Sequence, residues 1–160
     1  MHIHILGVCG TFMGGLAQIA KALGHDVTGS DQNMYPPMSN ELAKLNIDVM
    51  NGYEPEHLHS QPDLVLVGNT LSRGNPAIEY MLNQRLSFMS GPEWLFREVL
   101  QKRHVLAIAG THGKTTTTSI LSWILEFAGL NPSFLIGGVV ENFGKSASYT
   151  NSEYFVIEAD

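Results

Sequence analysis

A glycine-rich turn at residues 110–116, with the sequence GTHGKTT, constrains the fold of this 160-residue chain more than any other feature. The turn follows the apolar run at residues 105–109. It precedes residues 116–128, whose apolar side chains are spaced to form one face of a helix. A strand, a glycine turn and a helix in this order begin a unit with parallel strands. The sequence therefore predicts an α/β fold.

The same turn has the chemistry of a phosphate-binding loop. Glycines let backbone N–H groups face phosphate oxygens, and the helix N-terminus adds positive potential. Lys114 would neutralise the terminal phosphates of a nucleotide, and the Thr115 hydroxyl would reach Mg²⁺. The spacing departs from the P-loop consensus, because Ile108 stands where the first glycine is expected. The alternative is a chance Gly-Lys-Thr run in an ordinary turn. The predicted ATP-binding residues are Gly110, Thr111, His112, Gly113, Lys114, Thr115 and Thr116.

A second glycine-rich turn, residues 7–15, lies between a predicted strand at residues 3–8 and a predicted helix at residues 16–23. It does not fit the dinucleotide-binding fingerprint, because Cys9 and Phe12 occupy two of the glycine positions. Its backbone N–H groups still favour a diphosphate. Asp31 ends the next strand, where an acidic residue commonly contacts a ribose or base. A nucleotide diphosphate is predicted, NAD is disfavoured, and a tight turn without a ligand is the alternative.

Strands and helices alternate along the first hundred residues, which predicts a Rossmann-like parallel sheet. The predicted strands are residues 26–29, 47–50, 64–67 and 86–89, and the predicted helices are residues 38–45 and 76–84, with Ser39 as a possible N-cap. Residues 90–92 are predicted to break the pattern before a linking helix at residues 93–102. A second α/β domain then begins, with strands at residues 134–136 and 154–157 and a loop or irregular hairpin between them.

Composition excludes several classes of protein. The net charge is −6 and the basic residues are scattered, so no nucleic-acid-binding surface is expected. No apolar run approaches the roughly 20 residues that span a bilayer. Cys9 is the only cysteine, which favours a cytoplasmic protein without disulfides. His57 and His59 are expected to be solvated, because no further ligands stand at metal-site spacing.

Several of these stretches together resemble the Mur ligases. They are the two glycine turns, Gly29-Ser30-Asp31, Asn75-Pro76 and the VIEAD run at residues 156–160. Within that family, residues 9–15, 34–39 and 89–92 are similar to the ligases of murein recycling rather than to those that add L-alanine. The resemblance implies a UDP-muramoyl-binding domain at residues 1–100. It also implies the beginning of a central ATP-binding P-loop domain at residues 101–160.

The implied activity is ATP- and Mg²⁺-dependent formation of an amide. The muramoyl carboxylate of UDP-N-acetylmuramate becomes an acyl phosphate, which the amine of the tripeptide L-Ala-γ-D-Glu-meso-diaminopimelate attacks. L-Alanine as the amine substrate is one alternative, and a module that only binds a UDP-sugar is another. The chain stops at a motif, so we expect a piece of a longer, monomeric enzyme that cannot ligate by itself.

The resemblance also implies roles for individual residues. Lys114, Thr115 and Glu158 are the implied catalytic residues, and Thr115 and Glu158 are the implied Mg²⁺ ligands. Arg73 could pair with the diphosphate, although a surface salt bridge is the alternative. Asn142 and Ser146 could face the muramoyl carboxylate. The residues implied in binding the UDP-muramoyl substrate are Gly7, Cys9, Gly10, Thr11, Phe12, Met13, Gly14, Asp31, Asn69 and Arg73.

Overall fold

The computed structural model describes residues 1–159, which fall into two compact units. The first unit runs from Met1 to Trp94 and the second begins at Leu95. Each unit is built on its own sheet with helices between the strands. The α/β class that the sequence predicts is confirmed. No helix within this range has both the length and the apolar character that crossing a membrane requires.

The first unit contains a five-stranded sheet with the order β3-β2-β1-β4-β5, and every neighbouring pair is parallel. Its strands are β1 His2–Leu6, β2 Asp26–Asp31, β3 Asp48–Asn51, β4 Leu64–Val67 and β5 Phe88–Ser90. Its helices are α1 Thr11–Ala22, α2 Met38–Lys44 and α3 Pro76–Asn83, with a 3₁₀ helix at Pro55–Leu58. The direction of winding reverses between β1 and β4, which is where open α/β sheets bind ligands.

The apolar strand β1 lies at the centre of this sheet and pairs with β2 on one side and β4 on the other. Ile3, Ile5 and Leu6 are completely buried. Helix α1 packs Leu16 and Ile19 into the same core. The glycine turn that follows Leu6 is therefore attached to the buried centre of the sheet.

Several details of the helices differ from the sequence prediction. Helix α1 begins at Thr11 rather than at residue 16, so Gly14 is helical. A side chain at Gly14 would overlap Met38, so close packing against α2 overrides the low helix propensity of glycine. Helix α2 begins at Met38 after Pro37, so Ser39 is not its N-cap.

Another difference concerns residues 90–92, which were predicted to break the strand–helix pattern before a helix that starts at residue 93. Helix α4 is Gly91–Glu98, and the backbone N–H of Glu93 donates to the hydroxyl of Ser90. A serine just before a helix commonly satisfies N–H groups of the first turn in this way. The helix therefore starts earlier than its proline suggested.

The second unit contains a four-stranded sheet with the order β6-β9-β7-β8. Its elements are β6 His104–Ile108, α5 Lys114–Phe127, β7 Ser133–Val140, β8 Lys145–Ser148 and β9 Tyr154–Glu158, with a 3₁₀ helix at Leu100–Lys102. Strand β9 is parallel to both β6 and β7. Strands β7 and β8 are antiparallel with a register shift between Leu135 and Val140. Of the two predicted alternatives, the irregular hairpin is therefore correct.

A chain of polar side chains crosses the first unit along β1 and β2. The completely buried His4 is hydrogen-bonded through Nδ1 to Thr28 Oγ1 at 2.8 Å and through Nε2 to Ser30 Oγ at 2.9 Å. Thr28 Oγ1 also contacts His2 Nε2 at 2.9 Å, and Ser30 Oγ also contacts His57 Nδ1 at 2.9 Å. His57 is thus only partly exposed, contrary to the prediction of a solvated side chain, whereas His59 is exposed.

We expect His4 to make the first unit less stable in acid. Burial, with smaller contributions from His2 and His57, lowers the pKa of His4 to about 4 from its usual 6.5. Below pH 6.5 the unfolded chain therefore binds a proton that the folded chain does not, and stability falls as the pH approaches 4. The resulting decrease in the free energy of unfolding is on the order of 3 kcal/mol.

Urea unfolding at pH 7 and pH 4 measures this effect. In His4→Gln, the difference between the free energies of unfolding at the two pH values should shrink by most of that amount. It should be unchanged in His59→Gln, which alters an exposed ring of the same unit. An equal pH dependence in the two variants would contradict the role of His4.

Gly29→Ala should destabilise the first unit by about 1–3 kcal/mol, because overpacking a rigid core site forces its neighbours to move. A Cβ atom at Gly29 would lie 2.6–2.9 Å from three side-chain atoms of the completely buried Val8. Urea unfolding measures the loss. In a double-mutant cycle, Val8→Gly removes all three atoms involved, so the double variant should lose less than the sum of the single losses. Strict additivity would show that the two residues do not collide.

Two candidate phosphate-binding corners

The glycine turn of the first unit, residues 7–10, is attached to the end of β2 by backbone hydrogen bonds. Gly7 has a φ of 82°, a left-handed conformation that favours glycine. The N–H groups of Gly7 and Val8 both donate to the carbonyl of Ser30, at 2.8 and 3.4 Å. The N–H of Gly10 donates to the carbonyl of Gly7 at 3.1 Å. These amides are therefore used inside the protein.

Asp31 fixes the remaining part of this turn. Its Oδ2 accepts the N–H of Cys9 at 2.8 Å and its Oδ1 accepts the N–H of Asn33 at 2.8 Å. The side chain is 4% exposed. The Tyr53 hydroxyl is also hydrogen-bonded to this carboxylate, and burial together with the Asp31 charge raises the pKa of Tyr53 to about 12. The structure therefore gives Asp31 three partners within the protein, whereas the sequence suggested a ribose or base.

Three amides at this corner remain for an anion. Thr11, Phe12 and Met13 form the first turn of α1, where N–H groups lack partners within the helix. The preceding residue, Gly10, offers no side chain to cap them. Within residues 1–159 these three N–H groups have no acceptor. Together with the helix dipole they are suited to bind one phosphate group.

Cys9 lies in this corner but is not suited to act as a nucleophile. Burial, and then the neighbouring carboxylate of Asp31, raises the pKa of Cys9 to about 11. The thiol therefore stays protonated near neutral pH, and the thiolate is the reactive form. Its contribution to the corner is its backbone N–H, which the sequence could not have indicated.

The polar residues after β4 do not all face the glycine turn. Asn69 is exposed at the carboxyl end of β4, where a ligand could reach it. Arg73 forms a bidentate salt bridge with Glu79, with Nε–Oε1 and Nη2–Oε2 distances of 2.7 and 3.0 Å. This contact lowers the pKa of Glu79 to about 2. Arg73 thus forms the surface salt bridge that was the alternative to a diphosphate contact.

Asn75 caps α3, because its side-chain oxygen accepts the N–H groups of Ala77 and Ile78.

The second corner, residues 109–113, joins β6 to α5. Gly113 has a φ of 77°, and α5 begins at the next residue, Lys114, two residues earlier than predicted. The ammonium group of Lys114 donates to the carbonyl of Gly110 at 3.0 Å, so the lysine side chain folds over its own loop. Thr111 and His112 are exposed. The loop surface is therefore accessible, as a phosphate-binding loop requires.

Thr115 and Glu158 come together at this corner. The register of β6 and β9 sets Ile108 opposite Glu158, so the carboxylate emerges beside the loop. The Thr115 hydroxyl donates to Glu158 Oε2 at 3.3 Å, and the N–H of Gly137 donates to Oε1 at 2.7 Å. A Cβ atom at Gly137 would lie 2.7 Å from Oε2, so any other residue there would require the carboxylate to move. Sequence reasoning missed Gly137, because nothing in the chain pairs it with residue 158.

These two oxygen ligands fit Mg²⁺, which prefers hard oxygen donors and usually keeps several waters. Among residues 1–159 no cluster of three or more His, Cys, Asp or Glu side chains could hold a metal by itself. A cation at Thr115 and Glu158 would therefore take its other ligands from phosphate and water. Asp160, which completes the VIEAD run, lies outside the described residues.

Asn142 and Ser146 are separated by the hairpin. Asn142 is exposed in the turn between β7 and β8, whereas Ser146 is completely buried in β8. A buried hydroxyl cannot face a soluble carboxylate, so the structure does not support the role that the sequence suggested for Ser146.

Comparisons with known proteins agree with this geometry. Residues 2–103 match the family described as Mur ligase family, catalytic domain. The chain is 58% identical over 160 residues to the UDP-N-acetylmuramate–L-alanyl-gamma-D-glutamyl-meso-2,6-diaminoheptandioate ligase of Escherichia coli (strain K12), covering 100% of this chain and 35% of that protein. It is 38% identical over 158 residues to the UDP-N-acetylmuramate–L-alanine ligase of Psychrobacter sp. (strain PRwf-1), covering 99% of this chain and 33% of that protein.

Among solved structures, the UDP-N-acetylmuramate:L-alanyl-gamma-D-glutamyl-meso-diaminopimelate ligase of Neisseria meningitides superposes with a TM-score of 0.94 at 52% identity. The match covers 99% of this chain and 52% of that one. The chain thus spans about a third of the length of the curated relatives it matches. On the family match and these identities, the chain belongs to the Mur ligase family.

Proposed function

We propose that this chain is the nucleotide-binding part of an ATP-dependent ligase that joins UDP-N-acetylmuramate to the tripeptide L-Ala-γ-D-Glu-meso-diaminopimelate. The observation that carries the proposal is the contact of Thr115 with Glu158 beside an accessible glycine loop. The tripeptide is favoured over L-alanine by identity, which is 58% to the Escherichia coli relative and 38% to the alanine ligase from Psychrobacter.

In this proposal the second corner binds ATP. Residues 110–116 surround the β- and γ-phosphates, and Lys114 exchanges its contact with the Gly110 carbonyl for phosphate oxygens. Thr115 and Glu158 hold Mg²⁺, which supplies positive charge at the phosphates. The muramoyl carboxylate displaces ADP from the γ-phosphorus to form an acyl phosphate. The amine then attacks the carbonyl carbon, and phosphate leaves as the amide forms.

The first corner binds the diphosphate of the UDP-muramoyl substrate. The N–H groups of Thr11, Phe12 and Met13 face one phosphate, and Gly10, which directly precedes them, adds no side chain to the approach. Asn69 is exposed at the neighbouring strand end. Arg73 joins only if it leaves Glu79, and it contributes less than a preorganised group because that salt bridge must first break.

The two corners belong to separate parts of the proposed enzyme, with residues 1–100 binding the UDP-muramoyl substrate and residues 101–160 beginning the ATP-binding domain. These residues alone are proposed to bind nucleotides without forming the amide. The complete enzyme is proposed to be a cytoplasmic monomer with no nucleic-acid or membrane partner. The second candidate, a ligase for L-alanine, uses the same corners and has weaker support, from the 38% identity to an alanine ligase.

The amine substrate distinguishes these two candidates. Full-length enzyme is supplied with ATP, Mg²⁺ and UDP-N-acetylmuramate, and phosphate release is measured with the tripeptide or with L-alanine. We expect kcat/KM to be at least about tenfold higher for the tripeptide, because a site built for polar groups discriminates against a substrate that lacks them. Omission of UDP-N-acetylmuramate is the control for ATP hydrolysis alone. A preference for L-alanine would establish the second candidate instead.

Lys114→Ala should lower ATP turnover by on the order of 10²–10³-fold, because the charge that develops on the phosphates loses its cation. Binding of UDP-N-acetylmuramate, measured by calorimetry, should change less than about twofold, since its proposed phosphate contacts are the amides of another unit. Lys102→Ala, which removes an exposed lysine of the same unit, is the matched control. If Lys114→Ala lost both ATP turnover and binding of UDP-N-acetylmuramate, the two corners would not bind their ligands independently.

A further inference from the structure

We propose that His57 is a positioning residue for the diphosphate-binding corner and acts on it through Ser30. The inference rests on the proposed function, because the corner it serves is the proposed site for the UDP-muramoyl diphosphate. His57 has no place in the chemistry described above. It belongs to the 3₁₀ helix Pro55–Leu58, and its Nδ1 lies 2.9 Å from Ser30 Oγ.

The segment that carries His57 is held on both sides of the histidine. Before it, the N–H of Gly52 donates to the carbonyl of Asp31 at 3.0 Å, and the Tyr53 hydroxyl is hydrogen-bonded to the Asp31 carboxylate. After it, the completely buried Leu58 packs in a cluster with Leu6 and Tyr53. His57 therefore adds a side-chain hydrogen bond between the ends of the segment from Gly52 to Leu58, which is already held against the end of β2.

Ser30 connects this segment to the glycine turn. Its side chain contacts the ring of His57, while its backbone carbonyl accepts the N–H groups of Gly7 and Val8. The next residue, Asp31, accepts the N–H of Cys9 at 2.8 Å. A displacement of Ser30 would therefore move the turn that leads into α1, whose first amides face the proposed phosphate.

The hydrogen-bond chain behind Ser30 makes its position sensitive to His57. The Ser30 hydroxyl has one proton and two ring-nitrogen neighbours, His57 Nδ1 and His4 Nε2, so it donates to one and accepts from the other. His4 is completely buried and continues the chain to Thr28. Loss of the imidazole of His57 would leave Ser30 with an unsatisfied donor or acceptor, which a buried site tolerates poorly.

Four variants of the full-length enzyme test this positioning role. His57→Leu removes the ring nitrogen, and Ser30→Ala removes the hydroxyl that it contacts. His57→Asn is the conservative variant, because the amide of asparagine branches from Cγ as Nδ1 does. His59→Leu is the matched control, since His59 is an exposed histidine two residues away that contacts the ring of Tyr80 and lies outside the chain. UDP is the binding probe, and steady-state kinetics supply kcat and each KM.

We expect His57→Leu and Ser30→Ala to raise the Kd for UDP and the KM for UDP-N-acetylmuramate about tenfold. The KM for ATP and kcat at saturating substrates should stay within about twofold, since neither residue contacts the reacting groups. His57→Asn should recover most of the affinity, and His59→Leu should match the unaltered enzyme. A general loss of folding would instead lower kcat and ATP affinity together.

The outcomes separate the inference from the proposed function. If the unaltered enzyme binds UDP and His57→Leu binds it as well as His59→Leu does, the positioning role is wrong and the proposed function stands. A fall in kcat or ATP affinity in His57→Leu and Ser30→Ala, or a failure of His57→Asn to recover affinity, also overturns the role. If the unaltered enzyme does not bind UDP, the proposed function fails and the inference fails with it.

Discussion

The hydrogen bond from the Cys9 amide to the carboxylate of Asp31 is the contact on which the first corner depends. A carboxylate near a diphosphate would repel it if it faced the ligand. Here both carboxylate oxygens accept backbone N–H groups, and the side chain is buried. The negative charge therefore holds the turn in shape, while the unpaired amides of the next helix turn supply the positive potential.

The second corner also contains a carboxylate, but this one lies where it could contact a ligand. Glu158 lies half-buried at the end of β9 and accepts hydrogen bonds from the Thr115 hydroxyl and the Gly137 N–H. The Thr115 hydroxyl and the Glu158 carboxylate meet through oxygens that a divalent cation could also use. The first unit thus buries its acid beside a candidate anion site, whereas the second leaves its acid half-buried at a candidate cation site. The same strand-turn-helix geometry serves both sites.

The local features of the fold could be predicted from the sequence because they depend on neighbours along the chain. The glycine turns, the alternation of strands and helices and the phosphate loop follow from spacing and composition. The start of α1 could not be predicted, because glycine weakens a helix locally. The glycine at position 14 is explained by its close packing against Met38, which only the folded chain shows. The hairpin register likewise depends on pairing between distant residues.

The site residues also differ in whether they could be predicted from neighbours along the chain or depend on distant residues. Lys114 and Thr115 were recognisable from one contiguous motif. The partners of Arg73 and Asp31 were not, because each of these charges has several possible neighbours and only the folded chain selects among them. Arg73 has Glu79 within reach on the first turn of α3, and Asp31 has the amides of the glycine turn. Gly137 gave no signal at all, since its importance comes entirely from a carboxylate on another strand.

The closeness of Gly137 to Glu158 has a consequence for how sequences with this hairpin diverge. Any side chain at position 137 would occupy the space of the carboxylate, which lies 2.7 Å from the nearest possible Cβ. A shorter acid at position 158 would relieve the overlap but would retract the oxygens from the amide and the hydroxyl they now contact. A side chain at position 137 is therefore compatible with this hairpin only where the residue at position 158 adopts another position or is replaced.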